Sequence, residues 1–301
     1  MGRAIVLALF GVLAGINQMP AMASTTPEKT VASVDFCADQ YVLALAPPAA
    51  ILALSPDAKS AYSSARSKAA NLPIRNPRAE MVLSLKPDLV VRQWGGDARM
   101  GQMLSAHAIE MVQLGYATDF AGIYANIRQV GNALGTDTKA EALIATIKAR
   151  KAALTEAAMS SVPAPSALYV TPGGVTAGRG TLIDAVLTAA GLTNRAAADG
   201  ASGWVPLPAE ALVLDPPDLI VTGFFDGPLN KANAWSPARH PVFKKLFAQI
   251  PTITLPVDQI SCASPAAFDA VATIREAVMA LPAQNAHRAK PKKPTAPEIQ
   301  P

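Results

Sequence analysis

The stretch Ala79-Glu80-Met81-Val82-Leu83-Ser84-Leu85-Lys86-Pro87-Asp88-Leu89-Val90-Val91 returns without a gap as Ala209-Glu210-Ala211-Leu212-Val213-Leu214-Asp215-Pro216-Pro217-Asp218-Leu219-Ile220-Val221. Ala, Glu, Pro, Asp, Leu and Val recur at matching positions, 130 residues apart. Each copy reads as a short helix that begins near a glutamate, stops before Pro-Asp and feeds a strand. Proline lacks the N–H that a helix interior or a central strand needs, so it marks the changeover. The unbroken apolar run after the aspartate has the character of a strand buried on both faces. A helix–Pro-Asp–strand unit used twice at this spacing predicts two similar α/β lobes.

The flanking segments fit that plan. Val31 to Phe36 reads as a strand, with Asp39 capping a helix over Tyr41 to Leu45 that Pro47-Pro48 ends. Ile51 to Leu54 is the next strand, closed by Ser55-Pro56, and residues 57–78 read as irregular. Beyond the first copy come a helix over Arg99 to Ala108 and a strand over Ile109 to Leu114. Phe120 to Leu134 reads as a helix stopped at Gly135, followed by a second from about Lys139 to Ser160, roughly 30 Å long. No strand interrupts this region, which predicts a stiff spacer. The second half repeats the alternation: a strand over Ala167 to Val170, a helix over Thr181 to Ala190, the second copy, a strand over Thr252 to Leu255 and a closing helix over Ala266 to Ala280. The expected architecture is α/β, with two Rossmann-like lobes joined by a long rigid α-helix.

Length and composition set the frame. With 301 residues, half of them hydrophobic, the chain can bury a core in each lobe. At the start, Arg3 precedes the uncharged apolar run Ala4 to Ile16, and Ala21-Met22-Ala23 is a small-x-small cleavage signal. Residues 1–23 therefore read as a signal peptide cut after Ala23, too short to span a membrane. The expected divisions are a first lobe over 24–118, a helical backbone over 119–162, a second lobe over 163–281 and a disordered tail over 282–301. The formal charge of +4 owes much to Arg288, Lys290, Lys292 and Lys293 in that proline-rich tail, which speaks for a solvated tail and against nucleic acid. Cys37 and Cys262 can form one disulfide in an exported protein, or stand as two separate buried thiols.

Enzyme signatures are missing. Gly178-Arg179-Gly180 lies between a strand and a helix, but Ile183 occupies the third glycine position of a dinucleotide fingerprint. No Walker A lysine or Gly-x-Ser-x-Gly elbow is present. The histidines His107, His240 and His287 are scattered, too sparse for a bare transition-metal site, so no metal ligands and no cofactor are expected. What remains is a set of residues at strand ends, where parallel sheets bind ligands. In the first lobe these are Cys37, Asp39, Ser55, Trp94 and Tyr116; in the second, Arg179, Trp204, Phe224, Phe225, Trp235, Arg239 and Asp258. Aromatics are 5% of the chain, so their gathering there points to flat apolar walls around a bulky small molecule. Arg179 in a glycine-rich loop before a helix favours an anion.

Phe36-Cys37-Ala38-Asp39-Gln40, Glu80 to Val91, Val170 to Asp184, Glu210 to Val221 and Cys262-Ala263-Ser264-Pro265 occur in an order that resembles the substrate-binding proteins of ABC importers for iron–siderophore complexes and cobalamin. The resemblance covers residues 31–281. It implies the class III periplasmic binding fold, a ligand held between lobes that hinge little, and a monomer that serves an ABC permease in the inner membrane. It also implies that Glu80 and Glu210 dock onto permease arginines, one carboxylate on each lobe. The expected ligand is a small-molecule metal chelate, a ferric siderophore first and a cobalamin or other corrinoid second. An exported enzyme on the same scaffold, using Asp39, Asp258 or His240, is the reading from another class.

Overall fold

The computed structural model describes residues 29–96, 98–158, 164–207, 212, 214–225, 241 and 247–281. The expected signal peptide, the tail beyond residue 281, Glu210, Trp235 and Arg239 lie outside the described residues.

The first sheet contains β1 (Val31–Ser33), β2 (Ile51–Ala53), β3 (Leu89–Arg92) and β4 (Glu110–Gln113), all parallel, in the order β2-β1-β3-β4. The second contains β5 (Ser166–Val170), β7 (Thr193–Asn194), β9 (Leu219–Thr222) and β10 (Thr252–Thr254), also parallel. Its order from one edge is β7-β5-β9-β10, the same arrangement as the first. Register repeats too: Val31 pairs with Leu89, and Ala167 pairs with Leu219, the equivalent leucine of the second copy. A short antiparallel ribbon, β6 (Val175–Ala177) with β8 (Trp204–Pro206), is added to the second half. The sequence reading had a loop there, because three-residue strands paired at long range leave no local pattern.

The recurrent Pro-Asp has a structural task in each sheet. The Asp88 carboxylate accepts from the backbone N–H and hydroxyl of Thr30 at 2.8 and 2.7 Å. Asp218 accepts from the N–H and hydroxyl of Ser166 at the same two distances. Each aspartate thus ties the entry of the lobe's first strand to the entry of its third. Burial explains the unbroken apolar runs. Leu89 and Val91 join the central core while Val90 packs on the outer face with Val82, Met100 and Leu104. Leu219 and Val221 likewise face the centre, and Ile220 faces outward with Leu168, Leu212 and Ile250.

Helices α1 (Phe36–Leu45), α2 (Ala79–Leu85) and α3 (Met100–Ala106) belong to the first half. Asp35, not Asp39, caps α1, accepting the Ala38 N–H at 2.9 Å. The helix begins one turn earlier than expected because Phe36 and Cys37 are as compatible with a buried helical face as with a strand. α4 (Phe120–Leu134) is capped by Asp119 and ends at Gly135 with φ 72°, a left-handed turn that favours glycine. α5 (Asp137–Ala158) has 22 residues, roughly 33 Å at 1.5 Å per residue. It packs against α4 on one side and, on the other, against α6 (Leu182–Ala189) and the last helix, α9 (Ala267–Ala280). The short α7 (Arg195–Ala198) and α8 (Val257–Ile260) lie in the second half. The central core is continuous from Tyr41, Leu45 and Leu54 through Phe120, Ile127 and Ile144 to Tyr169, Leu187 and Phe268. Among the described residues no helix is long and apolar enough to cross a membrane.

Candidate functional site

In an open parallel sheet, loops leave in opposite directions where the strand order reverses, and a crevice opens beyond the carboxyl ends. Here that point falls between β1 and β3 in one sheet and between β5 and β9 in the other. The two crevices share a cleft of about 620 Å³. Cys37, Gln93, Trp94, Gln113 and Tyr116 line it from the first half, and Leu182, Ile183, Trp204, Phe224, Ile260 and Cys262 from the second. None of its described lining residues carries a charge. Trp94 is 56% exposed, Tyr116 79% and Trp204 48%. Large rings left this open are unburied apolar area, available to a guest.

The walls are held from behind by buried polar groups. The Asp35 carboxylate, 2% exposed, accepts from the N–H groups of Gln93, Trp94 and Gly95 at 2.7, 3.1 and 3.0 Å. Asn126 on α4 grips Gly115, beside Tyr116, twice: its carbonyl accepts the Gly115 N–H at 3.0 Å and its amide donates to the Gly115 carbonyl at 2.9 Å. In the second half the Trp204 ring meets Tyr169 edge-on, with centroids 6.0 Å apart. Phe224 has φ 66°, a left-handed conformation uncommon for an aromatic residue, which places its ring on the cleft floor.

One side of the cleft is stitched shut. Cys37 at the start of α1 and Cys262 beyond α8 form a disulfide, S–S 2.02 Å, although they stand 225 residues apart in sequence. The Tyr41 hydroxyl donates to the Ala263 carbonyl at 2.6 Å. Gln40 accepts from the hydroxyls of Ser64 and Ser264, and Ser261 donates to the Tyr62 carbonyl at 2.7 Å. Arg66 pairs with Asp258 across the same seam.

Of the residues expected at the site, Cys37, Trp94, Tyr116, Trp204 and Phe224 line the cleft. Others do not. Asp39 has no exposed surface and is tied to Ser55, which donates both its N–H (3.1 Å) and its hydroxyl (2.6 Å); Ser55 is itself buried. Burial pushes the Asp39 carboxyl up to about 7, against the lowering effect of those Ser55 hydrogen bonds. Phe225 meets Phe247 edge-on, with centroids 6.3 Å apart, and packs with the outer cluster, since the left-handed turn at Phe224 just past β9 sends the two neighbouring rings apart. Asp258 is engaged by Arg66. Arg179 is exposed, donates to the Ala197 carbonyl at 3.2 Å and lies off the cleft. At the α6 N-terminus beside it, the Thr181 hydroxyl accepts the Asp184 N–H at 3.1 Å, and Asp184 already places a carboxyl group in the first turn. Glu80 is exposed in the first turn of α2. Sequence reasoning missed Gln113, Leu182, Ile183 and Ile260 as lining residues, and gave Gln93 no role. Gln93 and Gln113 sit at or just past the ends of β3 and β4 and could have been found by that position. Leu182, Ile183 and Ile260 are helical apolar residues with no local mark.

Two like-ordered parallel sheets with a ring-lined cleft at their facing carboxyl ends define a two-lobed α/β fold built around a shared cleft. Comparison with known proteins makes this specific: the chain belongs to the periplasmic binding protein family, whose model matches residues 31–232. It is 30% identical over 171 residues to the ABC transporter substrate-binding lipoprotein YvrC of Bacillus subtilis, covering 54% of each chain. It is 32% identical over 146 residues to a cobalamin-binding protein of Halobacterium salinarum, covering 48% of this chain and 40% of that one. The chain thus spans about half the length, or less, of these curated relatives. Among solved structures it is similar to the periplasmic haem-binding protein RhuT of Roseiflexus sp. RS-1, with TM-score 0.60, 22% identity, and coverage of 83% of this chain and 99% of that one.

Proposed function

We propose that this chain is the solute-capturing component of an ABC importer, working in the periplasm, and that its cleft takes a bulky metal chelate of low net charge. One observation carries the reading: Trp94 and Trp204 stand exposed on opposite walls of a cleft whose described lining has no charged side chain. An uncharged, low-dielectric wall disfavours a multiply charged guest and suits one that is neutral overall. A ferric trihydroxamate, in which three singly charged ligands offset the metal, fits that condition and is the first candidate. A corrinoid is the second, favoured by opposed indoles suited to a flat macrocycle and by the cobalamin-binding relative. The divisions at 24–118, 119–162 and 163–281 then act as jaw, backbone and jaw, with residues 1–23 directing export.

Titration of the purified protein with a ferric trihydroxamate and with cyanocobalamin, followed by tryptophan emission, tests this. Saturable quenching by at least one is expected. Trp94→Ala or Trp204→Ala should weaken that chelate about 10-fold or more, the loss of one aromatic wall. A ferric catecholate trianion should bind at least about 10-fold more weakly than the preferred guest. No quenching by either probe, or a preference for the trianion, sinks the reading. Glu80 and Glu210 are the proposed contacts to the permease. Glu80→Ala combined with Glu210→Ala should leave binding intact and impair uptake in cells; parallel loss of both would overturn that role.

A further inference from the structure

Asp35 does two jobs with two oxygens. Oδ1 accepts the Ala38 N–H and caps α1. Oδ2 accepts three consecutive N–H groups, those of Gln93, Trp94 and Gly95. Such convergence on one buried carboxylate oxygen fixes a loop far more firmly than its own turn would. Gly95 allows the approach, since a β-carbon there would lie 2.3 Å from the Val34 carbonyl oxygen and 2.6 Å from the Asp35 β-carbon. Next to Asp35, Phe36 sets its ring edge-on to Trp94, with centroids 5.7 Å apart. The Trp94 backbone is thereby drawn inward while its indole stays outside, more than half exposed.

We propose that Asp35 is a positioning residue for ligand capture: it holds Trp94 out against the cleft, so affinity depends on Asp35 chiefly through Trp94. This rests on the reading of the cleft as the binding site. Asp35→Ser keeps a side-chain oxygen that can cap α1 but is too short to gather the loop amides as well. With cyanocobalamin and a ferric trihydroxamate as probes, Asp35→Ser should weaken binding about 10-fold in the otherwise native protein and less than about 2-fold in a Trp94→Ala background. Equal loss in both backgrounds, or no loss in the first, overturns the proposal. A second arm needs no ligand. In a Trp204→Phe, Trp235→Phe protein, emission anisotropy reports Trp94 alone, and Asp35→Ser should lower it at unchanged far-ultraviolet circular dichroism. Unaltered anisotropy overturns the proposal. Should Asp35→Ser not fold, Gly95→Ala, which leaves the α1 cap in place and crowds the loop, takes both readouts with the same expected outcomes. If the native protein binds neither probe, the functional reading fails, while the anisotropy arm still decides whether Asp35 holds Trp94.

Discussion

Asp39 lies inside α1 with no exposed atom, and burial raises its carboxyl from 3.8 to about 7, with a smaller contribution from the charge of Asp35. Below about pH 4 the folded and unfolded states are both protonated there and Asp39 has no effect. From about pH 4 to 7 the folded state keeps a proton that the unfolded state gives up, so stability falls as pH rises, and above about pH 7 the full penalty stands. Asp39→Asn removes the charge and can keep both contacts to Ser55. Urea unfolding should therefore show the variant more stable at about pH 8, by at most about 4 kcal/mol, with the advantage gone by about pH 4. A difference that does not change with pH would show that Asp39 is ionised in the fold. Asp35, four residues earlier, could not be singled out from sequence. Its partners at 93–95 lie 58 to 60 residues away, and a cap that also serves a distant loop looks like any other cap.

Among elements, those with local signals were the legible ones. Asp119 and Gly135 bracket α4, and its limits, Phe120–Leu134, match the expected ones at both ends. The duplicated unit was also visible, but only as a helix stop followed by a strand. What Asp88 and Asp218 do became clear once Thr30 and Ser166 stood beside them. The hydroxyl and N–H of Thr30 also hold the Asp88 carboxyl below its usual range, so this contact is present near neutrality and is lost on strong acidification. Asp88→Ala and Asp218→Ala should each destabilise by about 1–2 kcal/mol in denaturant unfolding. Because each aspartate works within its own sheet, the two losses should add to within about 0.5 kcal/mol. Strong non-additivity would mean that the clasps are not independent. The cleft aromatics were partly legible for the same local reason. Trp94 and Phe224 lie two residues beyond apolar strands, whereas the left-handed turn at Phe224 that sends Phe225 away has no mark in the sequence.

At the scale of the molecule, a continuous apolar core and a cross-cleft disulfide make the halves mechanically one. Closing a loop of 225 residues corresponds to about 5 kcal/mol in the chain-entropy picture, an upper value for what Cys37–Cys262 contributes. The double variant Cys37→Ser, Cys262→Ser should unfold at lower urea, yet still in one transition, because the shared core remains. Two separated transitions would show that the disulfide alone couples the lobes. The sequence permitted the bond or two free thiols, and only the meeting of α1 with the segment after α8 distinguishes them. A frame braced in this way before any visitor arrives leaves little slack to be taken up on docking. Calorimetry across temperature should then register a negative heat-capacity increment sized to the visitor and the rings it covers, with no surplus from a large closing movement of the frame.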